Sequence, residues 1–378
     1  MRLGTPSDRV AKMGNRKANA AALSCIALGV LGALCTGCSG AQEASPGLPP
    51  SEASSSAPLA ASAASKPEQT PPPAQSAPAG SFSASAAAPA SAPAAGQASI
   101  RMEGTDSLSS VPLVDVVLSG QPTSMLVDTG ASHHVISAWF ANEASLSVSY
   151  AGDQAKDHAG KGAGKVGRVE GLQVRIAGWE GRVWPITLVL GLPDALKKAG
   201  IGGVLAPHRA ARPGHAVVLD LKAGKMREEP LESALSQSRP GNLAFSGAHL
   251  CGGKVQGEGS LLAVEATIEG QSLWLKLDTG ATQTSLLTSS KVGKALFAKA
   301  KETNESMGAA GKIKAKVARG IPVRVGKFER ILDINVEDGK DNGACGGDGF
   351  LGLDILSSCV LVLAGEKSTG YCEAPKLD

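Results

Sequence analysis

The chain has 378 residues, long enough for two domains on the usual length prior, and carries a formal net charge of +3. Much of the positive excess sits between Met1 and Lys17, so the composition gives no footing for nucleic-acid binding. Residues 41–97 are dominated by Ala, Ser and Pro with almost no charge or bulk, which excludes a core there.

In chain order, the first element is an export signal over 1–37. Arg2, Arg9, Lys12, Arg16 and Lys17 precede an apolar stretch from Ala18 to Leu34 and a cluster of small residues. The stretch is marginal for a membrane span, so cleavage fits better than a permanent helix. "LCTGC" resembles a bacterial lipobox ending at Cys38, although Cys35 stands where that pattern prefers Leu. The resemblance implies a lipid on Cys38 and a membrane-anchored protein facing the periplasm or cell surface. Release by signal peptidase and an uncleaved anchor remain alternatives. Residues 38–98 then read as a disordered tether with a reach on the order of tens of ångströms.

Beyond the tether the chain repeats itself. "LVDTGAS" from Leu126 returns as "LKLDTGAT" from Leu275, with the two Asp residues 150 positions apart. Gly120-Gln121 matches Gly270-Gln271, "VDVVLS" matches "VEATIE", and "GLQVRIAGWE" from Gly171 matches "GIPVRVGKFE" from Gly320. "GIGGVLA" from Gly200 is set against "GFLGLDI" from Gly349, the blocks to this point keeping offsets of 149 or 150, and "HAVVLDL" and "SCVLVLA" close the units. Short alternating apolar runs punctuated by Gly predict an all-β fold, with short helices at 193–199 and 354–358. The lobes are assigned to 99–227 and 258–374, with a connector at 228–257.

Four cysteines remain after the signal: Cys251, Cys345, Cys359 and Cys372. An even number in an exported chain permits two disulfides in three pairings. Cys359 and Cys372 flank a strand-turn-strand pattern and could face each other across a hairpin, which leaves Cys251 for Cys345.

Duplicated halves usually associate about a pseudo-two-fold axis, near which residues meet their own counterparts. Asp128 would then face Asp278. Two close carboxylates share one proton, and such a pair can activate water while donating to a carbonyl oxygen.

The doubled "DTGA" motif and the Gly-rich blocks that follow resemble the retropepsin and pepsin superfamily of aspartic proteases, over about Val111 to Leu363. The shared-proton dyad is therefore what the resemblance implies. It also implies two β-barrel lobes about a pseudo-two-fold axis, with the active-site cleft between them. Thr129 and Thr279 would bond across the axis, and Gly130 and Gly280 would expose backbone amides near the carboxylates. Gly203 and Gly352 would lie behind the catalytic loops, where Gly202 and Leu205 look irregular. Gly162 and Gly164, and Gly308 and Gly311, mark two hairpins suited to fold over substrate as flaps. Ala131 and Ala281 match viral-type relatives, whereas pepsin-like ones commonly carry a hydroxyl there.

No cofactor or metal is expected. His133 and His134 are strand neighbours pointing to opposite faces, so one ion would not take both. "GAGKVG" from Gly162 has dinucleotide spacing without a βαβ context, and "CTGC" lies at the end of the signal. The reading is a monomeric aspartic endopeptidase, an intramolecular pseudo-dimer acting on extended polypeptide. Its rival is a catalytically inactive peptide-binding lipoprotein of the same fold.

Overall fold

The computed structural model describes residues 96–105, 108–156, 162–179, 181–237, 249–252, 260–308, 311–339, 347–365 and 367–373. The signal, Cys38, nearly all of the tether, Cys345 and the pairing of Cys345 with Cys251 lie outside them.

The strands of the first half are β1 (Gln97–Thr105), β2 (Leu108–Leu118), β3 (Gln121–Val127), β4 (Val135–Ser137), β5 (Ser149–Lys156), β6 (Gly162–Ile176), β7 (Arg182–Leu190), β8 (Ile201–Leu205), β9 (His215–Asp220) and β10 (Lys225–Pro230). Those of the second half are β11 (His249–Gly252), β12 (Ser260–Ile268), β13 (Gln271–Leu277), β14 (Ser285–Leu287), β15 (Glu302–Gly308), β16 (Gly311–Val325), β17 (Phe328–Glu337), β18 (Gly349–Leu351), β19 (Cys359–Leu363) and β20 (Thr369–Cys372). Helices are α1 (Ala138–Glu143), α2 (Asp194–Lys198), α3 (Leu231–Gln237), α4 (Lys291–Lys299) and α5 (Leu353–Leu356).

Each half closes on itself. The ladder β2-β3-β8-β4-β7-β6 returns to β2 through a β2–β6 pairing, and β12-β13-β18-β14-β17-β16 returns to β12 through β12–β16, giving two six-strand rings. Closure removes exposed edges, and the alternation of the strands sends one face inward. Met125, Val127, Ile136, Val189 and Leu205 line the core in the first lobe; Leu275, Leu277, Leu286, Ile334, Val336 and Leu351 do so in the second. Each such side chain contributes about 1.5–3 kcal/mol on burial. The repeated Gly120 and Gly270 close hairpins of matching geometry. Ser119 and Gly120 have φ of 47° and 86°, Glu269 and Gly270 of 52° and 72°, as a two-residue turn with both central residues left-handed requires.

Strands from both halves share a further sheet, β20-β19-β9-β10-β1. The closing apolar strands pair with each other, Val360 opposite Asp220 through Leu363 opposite Val217. The connector read over 228–257 therefore starts inside β10, because Glu228 and Glu229 pair with Val217 and Ala216. Its helix α3 then covers this sheet, Ala234 packing with Ala216, Val218 and Val362. Cys359 stands opposite Cys372 in the β19–β20 hairpin and is bonded to it.

One correction to the repeat emerges from strand register. Met125, Leu126 and Val127 pair with Gly203, Val204 and Leu205. Leu275, Lys276 and Leu277 pair with Gly349, Phe350 and Leu351. Gly203 is thus the counterpart of Gly349, and Ala206 that of Gly352. The alignment of Gly200 with Gly349 was three residues out of step. Gly202 and Leu205, irregular under that alignment, fall into place: Leu205 matches Leu351, and the connection before β8 has a different length in each lobe.

The short helices expected at 193–199 and 354–358 are present as α2 and α5, the latter starting one residue earlier. Helices α1 and α4, which follow the Asp-Thr-Gly segments, were not anticipated. Each is capped by a Ser: Phe140 N donates to Ser137 Oγ at 3.3 Å and Gly293 N to Ser290 Oγ at 2.9 Å.

Candidate active site

Strands β3 and β13 each run into an Asp-Thr-Gly turn, and the two turns meet. Thr129 N donates to Thr279 Oγ1 at 3.1 Å, and Thr129 Oγ1 donates to the Leu277 carbonyl at 2.9 Å. Reciprocally, Thr279 N donates to Thr129 Oγ1 at 3.1 Å and Thr279 Oγ1 to the Val127 carbonyl at 2.7 Å. Both Thr side chains are fully buried, so each hydroxyl satisfies backbone groups that would cost about 1–3 kcal/mol if left unpaired. The pairing also fixes the two Asp residues against one another.

Gly130 N donates to Asp128 Oδ1 at 2.7 Å; Gly280 N and Ala281 N donate to Asp278 Oδ1 at 2.9 and 3.0 Å. A Cβ on Gly130 would lie 2.8 Å from Asp278 Cγ and 3.1 Å from Asp128 Oδ1, and one on Gly280 would lie 2.9 Å from Asp128 Cγ. Each glycine therefore sits against the carboxyl of the other lobe, and no larger residue fits. Both Asp side chains are buried. Burial first, then the charge of Asp278 and a hydrogen bond with its side chain, hold the Asp128 carboxyl well above the ordinary carboxylate range, against the Gly130 and Ala131 amides that pull it down. Such a pair titrates as a unit and holds a shared proton into higher pH than either acid would alone.

The two Asp-Thr-Gly loops are tied to the strands behind them in the same way. Asp128 N donates to the Leu205 carbonyl at 2.9 Å, and Asp278 N to the Leu351 carbonyl at 3.0 Å. Gly203 and Gly352 do lie behind these loops, but as counterparts of Gly349 and Ala206.

The four flap glycines lie on two hairpins. Gly162 and Gly164 open β6 opposite β5, and Gly308 and Gly311 form the last pair between β15 and β16. The hairpins differ: β5–β6 shifts register between Tyr150 and Gln154 and again before Lys156, whereas β15–β16 runs unbroken from Glu302 to Gly308.

Sequence reasoning did not single out the outward faces of the strands that lead into and flank the Asp-Thr-Gly turns. In the first lobe Leu126, Val135, Leu188, Leu190 and Val204 form an apolar cluster with Ala131, capped by Leu196 of α2. The matching positions of the second lobe are Lys276, Ser285, Asn335, Glu337 and Phe350, all buried. Nor did it separate His134, which is buried, from His133, which is half-buried and has Nδ1 3.0 Å from Ser132 Oγ. Among the described residues no group of three or more His, Cys, Asp or Glu could hold a metal ion.

Two closed barrels with interlocked Asp-Thr-Gly turns and a buried carboxyl pair define a two-lobed protein of the aspartic-protease class. Family comparisons agree. The model described as "gag-polyprotein putative aspartyl protease" matches residues 114–196, and that described as "Aspartyl protease" matches residues 264–355. The chain carries two retropepsin-like domains of the aspartyl protease family. No curated protein matches it at a significant level.

Proposed function

We propose that the protein is an aspartic endopeptidase in which Asp128 and Asp278 share a proton. One carboxylate takes a proton from water while the other donates to the peptide carbonyl oxygen, giving a tetrahedral intermediate without a covalent adduct. The observation that carries this reading is the pair of buried carboxyls, each backed by the glycine of the other lobe. An inert turn Asp has no need of a second carboxyl against it. An extended polypeptide would lie under the two hairpins as an added strand, its backbone bonded and alternate side chains in pockets. The protein acts as a monomer, since both halves of the site come from one chain. Incubating the folded part of the chain, from Gly96, with a mixed peptide library between pH 3 and 8 and mapping cut sites by mass spectrometry tests the reading. Absence of cleavage across that range would leave the peptide-binding alternative.

Ala131 and Ala281 are both buried and offer no hydroxyl to the carboxyls. A hydroxyl donor stabilises the ionised form, so Ser at both positions lowers the apparent pKa values of the pair. The descending limb of the activity profile should then move toward acid. A limb that stays in place or moves toward alkali in a folded double variant contradicts this.

The export reading adds a lipid on Cys38 and a tether to the membrane. Among the described residues no helix is long and apolar enough to cross one. Cys38→Ala should release the protein from the membrane fraction of its host; unchanged fractionation would point to another anchor.

A further inference from the structure

The two lobes satisfy one backbone amide with different chemistry. Directly after Leu351, the Gly352 amide donates to Thr284 Oγ1 at 3.2 Å. Thr284 is itself held by Asp354: its Oγ1 donates to Oδ1 at 2.7 Å and its N to Oδ2 at 2.8 Å. In the first lobe the corrected register puts Ala206, His134 and His208 at the places of Gly352, Thr284 and Asp354. There the Ala206 amide donates to His134 Nδ1 at 3.3 Å. The imidazole is 4% exposed and stacked on Trp184, with ring centroids 3.6 Å apart and planes within 6°. Its Nε2 makes no well-formed hydrogen bond.

A ring nitrogen that accepts a hydrogen bond carries no proton, so this clasp exists only in the neutral imidazole with its proton on Nε2. The surroundings favour that form. The titratable groups that face the ring are His208 and Arg209, from the turn after β8, and His133 of its own loop; Trp184 of β7 is uncharged. Burial first, and then His208, push the His134 pKa down to about 3, against a favourable contact with the Arg209 backbone. Arg209 is anchored nearby, Nη1 donating to the Ser132 carbonyl at 3.2 Å.

We propose that His134 is a positioning residue of the first lobe: as a neutral acceptor for the Ala206 amide, it locks the strand end to which Asp128 is tied. Protonation turns the acceptor into a donor facing another donor. The Ala206 N–H then loses its partner, and it belongs to the same peptide group as the Leu205 carbonyl that receives the Asp128 amide. In the second lobe the Gly352 amide keeps its acceptor through this range, because that acceptor is a hydroxyl; the titrating group lies one bond further back, in Asp354, whose carboxyl burial holds above its ordinary value. Protonating His134 therefore loosens the Asp128 loop through its own clasp, and activity at the acid end falls with it. That last consequence rests on the hydrolase reading; the clasp does not.

The sign of the effect follows from the folded and unfolded pKa values. The folded value, about 3, lies below the ordinary 6.5, so between them the unfolded chain binds the extra proton. Stability is complete above about pH 6.5 and is lost as pH falls toward about 3, the folded-to-unfolded ratio dropping up to about tenfold per pH unit. The test compares urea unfolding of the intact protein from pH 7.5 to 4 with that of a His134→Thr, His208→Asp variant, which transplants the second lobe's clasp. The variant should lack the one-proton loss. Parallel pH dependences would overturn the proposal. Nitrogen-15 NMR of the wild-type imidazoles provides an independent check even if the variant does not fold. At pH 7, His134 should show a bare Nδ1 and a protonated Nε2; a protonated Nδ1 would overturn the proposal outright.

Discussion

Asp128→Asn lowers kcat/KM by about 10³-fold or more, Asp278→Asn does the same, and the double variant is no worse than either single one. This is the expected result if the two carboxyls form one proton-transfer unit. Asn leaves the scaffold in place, since its amide oxygen can still accept the Gly130 amide that Asp128 Oδ1 receives at 2.7 Å. What it lacks is an exchangeable acid proton. Retention of near full activity by Asp128→Asn would end the dyad reading.

The same substitution carries a stability signature that separates chemistry from misfolding. The Asp128 carboxyl is raised above its ordinary range chiefly by burial and then by Asp278. A raised carboxyl stabilises the fold below its unfolded pKa, and that contribution disappears as pH rises through the folded value. At neutral pH the wild type thus bears the cost of ionising a buried pair, which Asn removes. Asp128→Asn should be inactive and yet melt at a higher temperature than wild type at pH 7, with the difference shrinking toward acid. An inactive variant that melts lower at every pH would instead mark Asp128 as a structural turn residue, the role this motif plays when it occurs alone.

Much of this site could be read from the letters because it is local. Asp-Thr-Gly at two places, a Gly at the turn of each preceding hairpin, and alternation along each strand are short-range patterns, and the barrels and the carboxyl pair follow from them. What escaped depends on contacts far apart in sequence. His134 reads as one of two adjacent strand histidines until its partner, the Ala206 amide 72 residues on, is in place. Helices α1 and α4 are short enough that 3.6-residue periodicity barely registers, although Ser137 and Ser290 announce them as caps. The contrast between Leu126 and Lys276, equivalent positions two residues before each Asp, was visible in the sequence. Its meaning was not, because both side chains are buried only through neighbours supplied by other strands.

The misaligned Gly-rich block is the most instructive miss, and it yields a second large expected effect. "GIGG" and "GFLG" match as strings, but a parallel strand is placed by what fits between its neighbours. A Cβ on Gly203 would lie 2.2 Å from the Val135 carbonyl oxygen, and one on Gly349 would lie 2.1 Å from that of Ser285. Both obstacles are backbone of the neighbouring strand, which cannot rotate away as a side chain can. Gly203→Ala and Gly349→Ala should therefore each cost about 3 kcal/mol or more in unfolding free energy, at the upper end of overpacking effects. Gly200, the residue the sequence alignment had favoured, has no neighbour within 4 Å of its would-be Cβ and only a φ of +69° to strain an alanine. Gly200→Ala should cost about 1–2 kcal/mol. Denaturant unfolding of the three variants reads the register directly. If Gly203→Ala is milder than Gly200→Ala, β8 does not sit against β4 as described, and the Leu205 carbonyl that anchors Asp128 would have to be sought elsewhere.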